Sequence, residues 1–471
     1  MKVLALHAGP ASTDIPAWAA SLPAGWELVR AEAGEHGAPR PKDVTFPEDE
    51  LVWLLPAGVS PATGAIEALS VWLARSPGRP ASAFYGDTLA AGHPLTRPRA
   101  ERYALWAAAS AGDSIVVRAG LLRATLAALV DPAEWWYQLR LAAIDDGLEH
   151  IPVFLDSWDA PATSATDAVF APGVGPAPFS WAARAAVLEA LAYVRASERA
   201  TPAGARLALG GPTDQASVSV IIPSIGTPIT TPEGIEPALL RCLRSLSETT
   251  EVKEIIVVAG PRMPETVLDQ AADFGVQVVR VAGQFNFSAS INAGAAAASG
   301  THLLLLNDDV EATSPGWLDS LLGLATLGDV GAVGARLMFP GGTIQHAGIV
   351  VSPRNLEPNH LYMGLRPEDI ADPVASGLAH FLAVTGACLL VSRENFHAVG
   401  GLTEELPLNY NDVDFCLKLH ACGLTNLQDN AVSLIHREST TRTHVLTDRE
   451  AGWMAQWEPW IGQDPYVNVW G

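Results

Sequence analysis

Four short apolar runs mark the second half of this chain: VSVIIPS (218–224), EIIVVAG (254–260), VQVVRVAG (276–283) and HLLLLND (302–308). Each is β-rich, lacks a polar face and is followed by a helix-like segment, the pattern of strands covered on both sides in a parallel sheet. An α/β fold is therefore expected from about Ser217 onward. Upstream, residues 159–180 are rich in Pro, Gly, Ala and Ser. An amphipathic segment then runs from Trp181 to Glu198 with Val187, Leu188, Leu191 and Val194 on one face, and residues 202–213 are again rich in Gly and Pro. This reads as linker, helix, linker.

At 471 residues the chain is several times a typical domain, so two or three cores are expected. With 49% hydrophobic and 17% charged residues, most of it should fold. Fifty-one acidic against 29 basic residues leave a net charge of −22, which repels phosphate backbones and argues against a nucleic-acid partner. Cys242, Cys388, Cys416 and Cys422 are scattered without CxxC pairing. Neither a zinc site nor a disulfide framework is expected, and a reducing, cytoplasmic setting fits best. No run reaches the roughly 18 apolar residues of a membrane span, and the start MKVLALHAGPASTD is too weakly apolar for a signal peptide, so at most peripheral membrane contact is expected.

The two halves resemble each other. LVWLLPAGVSPAT (51–63) parallels LLLLNDDVEATS (303–314), DSIVVRAGLL (113–122) parallels GACLLVSREN (386–395), and WWYQLRLAAIDDGLEHI (135–151) parallels VDFCLKLHACGLTNL (413–427). Order and approximate spacing are kept, which points to a duplication, although Ala and Leu richness by itself produces some such matches. The first copy has Leu55, Pro56, Ala57 and Gly58 where the second has acids, and Glu134, Trp135 and Trp136 facing Asp412, Val413 and Asp414. It has lost most of its chemistry.

In LLLLNDDVE the apolar strand stops at Asn307, Asp308 and Asp309, with Glu311 close behind. That sets carboxylates at the carboxyl edge of a parallel sheet, where open α/β sheets bind ligands. Adjacent carboxylates repel one another and resist desolvation, so grouping them suits a divalent cation that bridges diphosphate oxygens. A solvated turn explains the tripeptide about equally well. NYNDVDFCLKL puts Asp412 and Asp414 ahead of the apolar Phe415, Leu417 and Leu419. Either acid could be a general base, and Asn411 or Asp412 could equally cap a helix for about 1 kcal/mol. His436, after the apolar run AVSLI and before Arg437 and Glu438, marks another strand end. A lone histidine there is more often structural than a ligand.

Taken in order, VSVIIPS, FNFSASINAGAAAASGTHLLLLNDDVE, GARLMFPGGTIQHAG, AVTGACLLVSRENFHAVGGLTEEL and LNYNDVDFCLKL, followed by His436, resemble a family 2 glycosyltransferase. This is the large inverting group with the GT-A fold, and the likeness is strongest to its rhamnosyltransferase and O-antigen type members. The tail and the first half are similar to long tandem members in which a GT-A-like domain precedes the catalytic one. The resemblance implies four parts: 1–165, a degenerate GT-A-like domain; 166–215, a linker with a helix; 216–445, the catalytic domain; and 446–471, a tail docked on the core.

The resemblance also implies roles. Asn307, Asp308 and Asp309 take the DXD position, with Asp309 and His436 holding Mg2+ or Mn2+. Asp412 matches the catalytic base. Pro223, Ser224, Asn286, Asn292 and Asp308 fall on the donor side, with Gly294 in the same segment, and Thr385, Gly386 and Asp414 on the acceptor side. The implied reaction is an in-line displacement from a nucleotide-diphosphate sugar onto a hydroxyl of a glycan, lipid-linked or small-molecule acceptor. A homodimer is a further partner the likeness leaves open.

Several positions depart from the family pattern. The usual acid after the second strand is missing, with Ala259 and Gly260 in its place; Lys418 stands where arginine is usual; and Pro223, Pro228, Pro232 and Pro237 alter the loop after the first strand. In the first half, Tyr85, Gly86 and Asp87 resemble the tandem enzymes' YSDED segment. HIPVFLDSW resembles their HIPHVLYHW, with Ser157 near the expected histidine. Asp87 and His150 read more simply as ordinary polarity, and the late Trp453, Trp457, Trp460 and Trp470 as residues docking the tail. Two competing functions remain: a non-catalytic GT-A-like scaffold or glycan-binding protein, and a nucleotidyltransferase. The latter lacks support because SIGTPITTPEG carries no Lys or Arg.

Overall fold

The structure is a computed structural model that describes residues 1–7, 16–32, 39, 44–55, 59–75, 83–90, 93–95, 114–158, 181–190, 194–201, 204–211, 213–231, 234–247, 249–351, 357–370, 373–437, 447–461, 464 and 466. Pro56, Ala57, Gly58, Pro232 and Trp470 lie outside the described residues, as do the side chains of Asp87, His150 and Ser157.

The first half builds a sheet from β1 (Lys2–His7), β2 (Glu27–Glu32), β3 (Leu51–Leu55), β4 (Ser60–Pro61), β5 (Ala83–Ala90), β6 (His93–Leu95), β7 (Ile115–Arg118) and β8 (Leu148–Trp158). Its order is β2-β1-β3-β7-β5-β8-β4, with β6 paired to β5. A hairpin follows, β9 (Arg195–Thr201) with β10 (Gly204–Gly210). The second half opens with β11 (Val218–Ser224) and a small hairpin of β12 (Pro228–Thr231) and β13 (Gly234–Pro237). It continues through β14 (Val252–Ala259), β15 (Gln277–Arg280), β16 (His302–Leu306), β17 (Val310–Glu311) and β18 (Val330–Met338). The rest are β19 (Ile344–His346), β20 (Ile349–Val351), β21 (Pro358–His360), β22 (Leu378–His380), β23 (Cys388–Ser392) and β24 (Thr425–His436). The main order here is β15-β14-β11-β16-β23-β18-β24-β17.

The two sheets share one plan. β1 is parallel to β2 and β3, as β11 is to β14 and β16. β7 is antiparallel to β3 and β5, as β23 is to β16 and β18. β5 and β8 are parallel, as are β18 and β24. Even the two-residue β4 and β17 run antiparallel to β8 and β24. The three repeated strings fall on these equivalent strands and the helices beside them, so the duplication extends from sequence to topology.

The expectation of strands covered on both sides holds for two of the four apolar runs: β14 is buried only over its last four residues, and β15, at the edge of the sheet, is largely exposed. β11 and β16 are buried along their whole length, with helices Ala238–Leu246 and Trp317–Ala325 contributing to one core cluster and helix Phe287–Ala297 to the other. The segment expected as a linker differs. Helix Trp181–Ala190 forms, but Arg195–Thr201 and Gly204–Gly210 pair as β9 and β10, and Leu207 and Leu209 join the core of the second half. The glycines explain why. A Cβ on Gly210 would lie 2.8 Å from the Gly323 Cα, and Gly211 N–H donates to the Gly323 carbonyl at 2.9 Å, so the Gly-rich stretch permits close backbone packing rather than a free coil. Among the described residues no helix is long and apolar enough to cross a membrane.

Candidate active site

β16 delivers its acids to the sheet edge because the ladder continues one step beyond the strand: Asn307 N–H donates to the Ala387 carbonyl at 3.0 Å. The chain then turns, with Val310 N–H donating to Asn307 O at 3.3 Å, and enters β17. Pairing of Val310 with His436 and a bond from Arg437 N–H to Asp309 O (3.0 Å) bring the end of β24 beside the turn. His436 Nε2 consequently lies 2.9 Å from Asp309 Oδ1 and 3.2 Å from Asn307 Nδ2. On the far side of the ring, Nδ1 lies 2.5 Å from Gln345 Oε1 of β19. Glu311 has a different task, binding Arg241 at 2.8 Å and also Arg437, and so ties β17 to helix Ala238–Leu246 and to the end of β24.

Asp308 turns toward β11, where the Ser224 hydroxyl donates to its Oδ2 at 2.6 Å. Burial, reinforced by the charge of Asp309, pushes its carboxyl up to about 7 despite that bond and the nearby His436. Among the described residues no three His, Cys, Asp or Glu side chains gather into a metal cage. The pair of Asp309 and His436 is instead a partial shell. It fits an ion shared with ligand oxygens, because Mg2+ characteristically takes one or two carboxylates plus substrate phosphates, and carboxylates suit Mn2+ equally.

Helix Asn411–Ala421 supplies the second acid group. It is preceded by Tyr410 in the left-handed region (φ 60°), a strained conformation of the kind that clusters at functional sites. Asp412, in the first turn, accepts Gly386 N–H at 2.9 Å through Oδ2 and Val413 N–H at 2.9 Å through Oδ1. Gly386 adjoins Ala387, the residue bonded to Asn307, so a single peptide separates the anchor of Asp412 from the acidic turn. Gly386 lies close under this side chain: a Cβ there would come 3.3 Å from the Asp412 Cβ. Thr385, buried, accepts Ala387 N–H at 3.3 Å and shapes the same bend.

Other expected site residues do structural work. Asp414, expected on the acceptor side, is wholly buried, with Thr403 Oγ1 at 2.7 Å, Lys418 Nζ at 2.9 Å and Trp457 Nε1 at 3.0 Å. The helical period turns it away from Asp412 and into the core. Lys418, in the usual arginine position, is spent on this cluster. Asn286 caps helix Phe287–Ala297 by accepting Ala289 N–H at 3.0 Å and donates to Glu404 O at 2.8 Å. Asn292 donates to Leu402 O at 2.9 Å and accepts Leu402 N–H at 3.0 Å. Both amides bind the 402–404 loop to this helix. Pro223 is buried in β11 beside Val258. At Gly260 a Cβ would meet Ile225 Cγ2 at 2.8 Å and Phe285 at 3.3 Å, so apolar groups crowd the edge where the family carries an acid.

Sequence reasoning missed Gln345, although it lies inside the quoted GTIQHAG. The available signal was a polar residue in the middle of a strand that buries all three of its residues. In the first half, Glu134, aligned with Asp412, is buried against Arg184 at 3.1 Å, a structural pair in place of an accessible base.

Residues 219–365 match the family described as Glycosyl transferase family 2. The chain is 37% identical over 231 residues to the uncharacterized protein y4gI of Sinorhizobium fredii (strain NBRC 101917 / NGR234), covering 46% of this chain and 25% of that protein. It is 36% identical over 261 residues to the O-antigen biosynthesis protein RfbC of Myxococcus xanthus, covering 52% of this chain and 20% of that one. The chain thus spans a quarter or less of these curated relatives. Among solved structures, GalNAc-T7 with UDP, GalNAc and Mn2+ is 14% identical with a TM-score of 0.41, covering 55% of this chain and 53% of that chain.

Proposed function

We propose, from the glycosyl transferase family 2 match at residues 219–365, that the chain moves a sugar from a nucleotide-diphosphate sugar to an acceptor hydroxyl with inversion at the anomeric carbon. The acceptor class is a glycan, lipid-linked or small-molecule hydroxyl, and a hexosyl or rhamnosyl group is the sugar class. The likeness to an O-antigen biosynthesis protein supports a polysaccharide setting. One observation carries the reading: Asp412 and the Asp309–His436 pair are anchored to neighbouring positions of one sheet edge, through Gly386 and through Asn307 on Ala387.

Asp412, with both oxygens oriented by backbone N–H groups, takes the proton from the acceptor hydroxyl as that oxygen bonds to the anomeric carbon. The bond from that carbon to the diphosphate oxygen breaks, and its electron pair leaves with the diphosphate. A divalent cation, Mg2+ or Mn2+, held by Asp309 and His436 would offset that developing charge, which a chain of net charge −22 cannot do with its acids alone. Asp308 and Ser224 line the donor side of the same turn. The Gly386 N–H bond at 2.9 Å orients Asp412 above the bend.

The test is a titration of nucleoside diphosphates with and without Mn2+, paired with turnover of Asp412→Asn and Asp309→Ala. Asp412→Asn should bind nucleotide as the parent does and lose roughly 10²- to 10⁴-fold in transfer. Asp309→Ala should weaken the metal-dependent part of nucleotide binding. Absence of metal-dependent binding by any nucleotide would favour the scaffold reading, which the apolar edge at Ala259 and Gly260 motivates.

A further inference from the structure

The ring of His436 is gripped on both sides by groups whose hydrogen-bonding roles are fixed. Gln345 Oε1 can only accept, so the Nδ1 atom 2.5 Å away must carry the proton and donate. Asn307 Nδ2, 3.2 Å from Nε2, can only donate and favours a bare Nε2, whereas Asp309 Oδ1, 2.9 Å from the same nitrogen, can only accept and favours a proton on it. The Gln345 bond therefore calls for a proton on Nδ1 whichever state Nε2 adopts, and both amide partners are buried, Gln345 at 5% and Asn307 at 9% exposure, so water competes little for either bond. With Nδ1 carrying its proton, a bare Nε2 faces Asp309 Oδ1 at 2.9 Å. Two lone-pair donors held this close repel unless a proton or a cation lies between them, and a cation can take that place only when Nε2 is free of its proton. Without Gln345, Asp309 would pull the proton onto Nε2, where it would block that position.

We propose that Gln345 is a positioning residue that holds His436 in the Nδ1–H tautomer and so keeps its Nε2 open as a cation ligand beside Asp309. The inference rests on the proposed ligand role of His436. Gln345 touches neither cation nor substrate; it acts through the ring, as outer partners of metal-bound histidines commonly do. Its neighbour His346 faces away, with Nε2 3.0 Å from Gln428 Oε1 and Nδ1 2.9 Å from His360 Nδ1, which anchors β19 independently of the site.

The experiment uses the full chain with ¹⁵N-labelled histidine, assigned through His436→Ala, alongside Mn2+ binding followed by electron paramagnetic resonance without nucleotide. Metal-free wild type should show His436 protonated at Nδ1. Gln345→Leu, close in volume and suited to a buried position, should move the proton to Nε2 and weaken Mn2+ binding about 10- to 100-fold. Gln345→Glu, which still accepts from Nδ1, should restore the wild-type tautomer and bring Mn2+ affinity back to within a few-fold. If Gln345→Leu leaves Nδ1 protonated, or shifts the proton without changing an Mn2+ affinity that His436→Ala abolishes, the inference alone fails. If Mn2+ binding is indifferent to His436→Ala, the ligand role of His436 fails and takes the inference with it.

Discussion

Asp414 lies two positions after Asp412 on one helix, yet its carboxylate is fully buried and shared by Thr403, Lys418 and Trp457, whereas Asp412 is only partly buried and holds backbone N–H groups. Removing one partner of a buried pair strands the other charge, so Asp414→Ala should cost about 3–5 kcal/mol. Asp412→Ala should cost no more than about 1 kcal/mol, in the range of a lost helix-terminal interaction. Denaturant midpoints of the two variants check this, and equal losses would contradict the division of labour. Asp308 gives a pH signature. Its folded value, about 7 against an ordinary 3.8, is raised, so its contribution to stability is complete below the ordinary value and is lost as pH rises through about 7. The metal-free protein should therefore lose stability between about pH 4 and 7 from this group. Asp308→Asn should flatten that part of the thermal-midpoint profile, and Mn2+ with a nucleoside diphosphate should restore stability at the alkaline end.

Among the elements, helix Phe287–Ala297 shows how packing sets the site. A Cβ on Gly294 would lie 2.4 Å from Ile221 Cγ2 and 3.0 Å from Val258 Cγ2, so glycine lets the helix sit directly on β11 and β14. Gly294→Ala gains roughly 1 kcal/mol of helix propensity. Overpacking of a close core contact costs about 1–3 kcal/mol, so the substitution should lower the unfolding midpoint; a rise would mean that the helix can lift without penalty. β16 and β11 were legible in the sequence because a strand covered on both faces must be apolar throughout. The β9–β10 hairpin was not, since Gly and Pro richness signals a loop unless the partner backbone is known, and that partner, Gly323, lies more than a hundred residues away.

For the whole molecule, one apolar cluster runs from Tyr85, Tyr137 and Leu141 through Val187, Leu188, Leu207 and Leu209 to the helices and strands of the second half. The tail closes the other side, with Met454 and Ile461 in the second cluster and Trp457 bonded to Asp414. The two sheets keep one strand order, and in the first half Glu134 is taken up in a buried pair with Arg184. A chain starting at residue 214 uncovers the face that Leu207 and Leu209 protect. It should bind apolar dyes and self-associate in sedimentation, whereas a chain starting at 181 should do so far less; identical behaviour would show that the hairpin is dispensable.

The sequence alone determined the buried β11 and β16, the sheet edge bearing Asn307, Asp308 and Asp309 and the helix with Asp412 in its first turn, and it pointed to the repeat, because apolar periodicity and strand-end acids are local properties read along a few residues. It could not separate Asp412 from Asp414, assign Asn286 and Asn292 to the 402–404 loop, or bring Gln345 to His436. Those outcomes depend on which distant backbone fills each hydrogen-bonding vacancy, and only the closing of β17 on β24 and of β16 on β23 decides that.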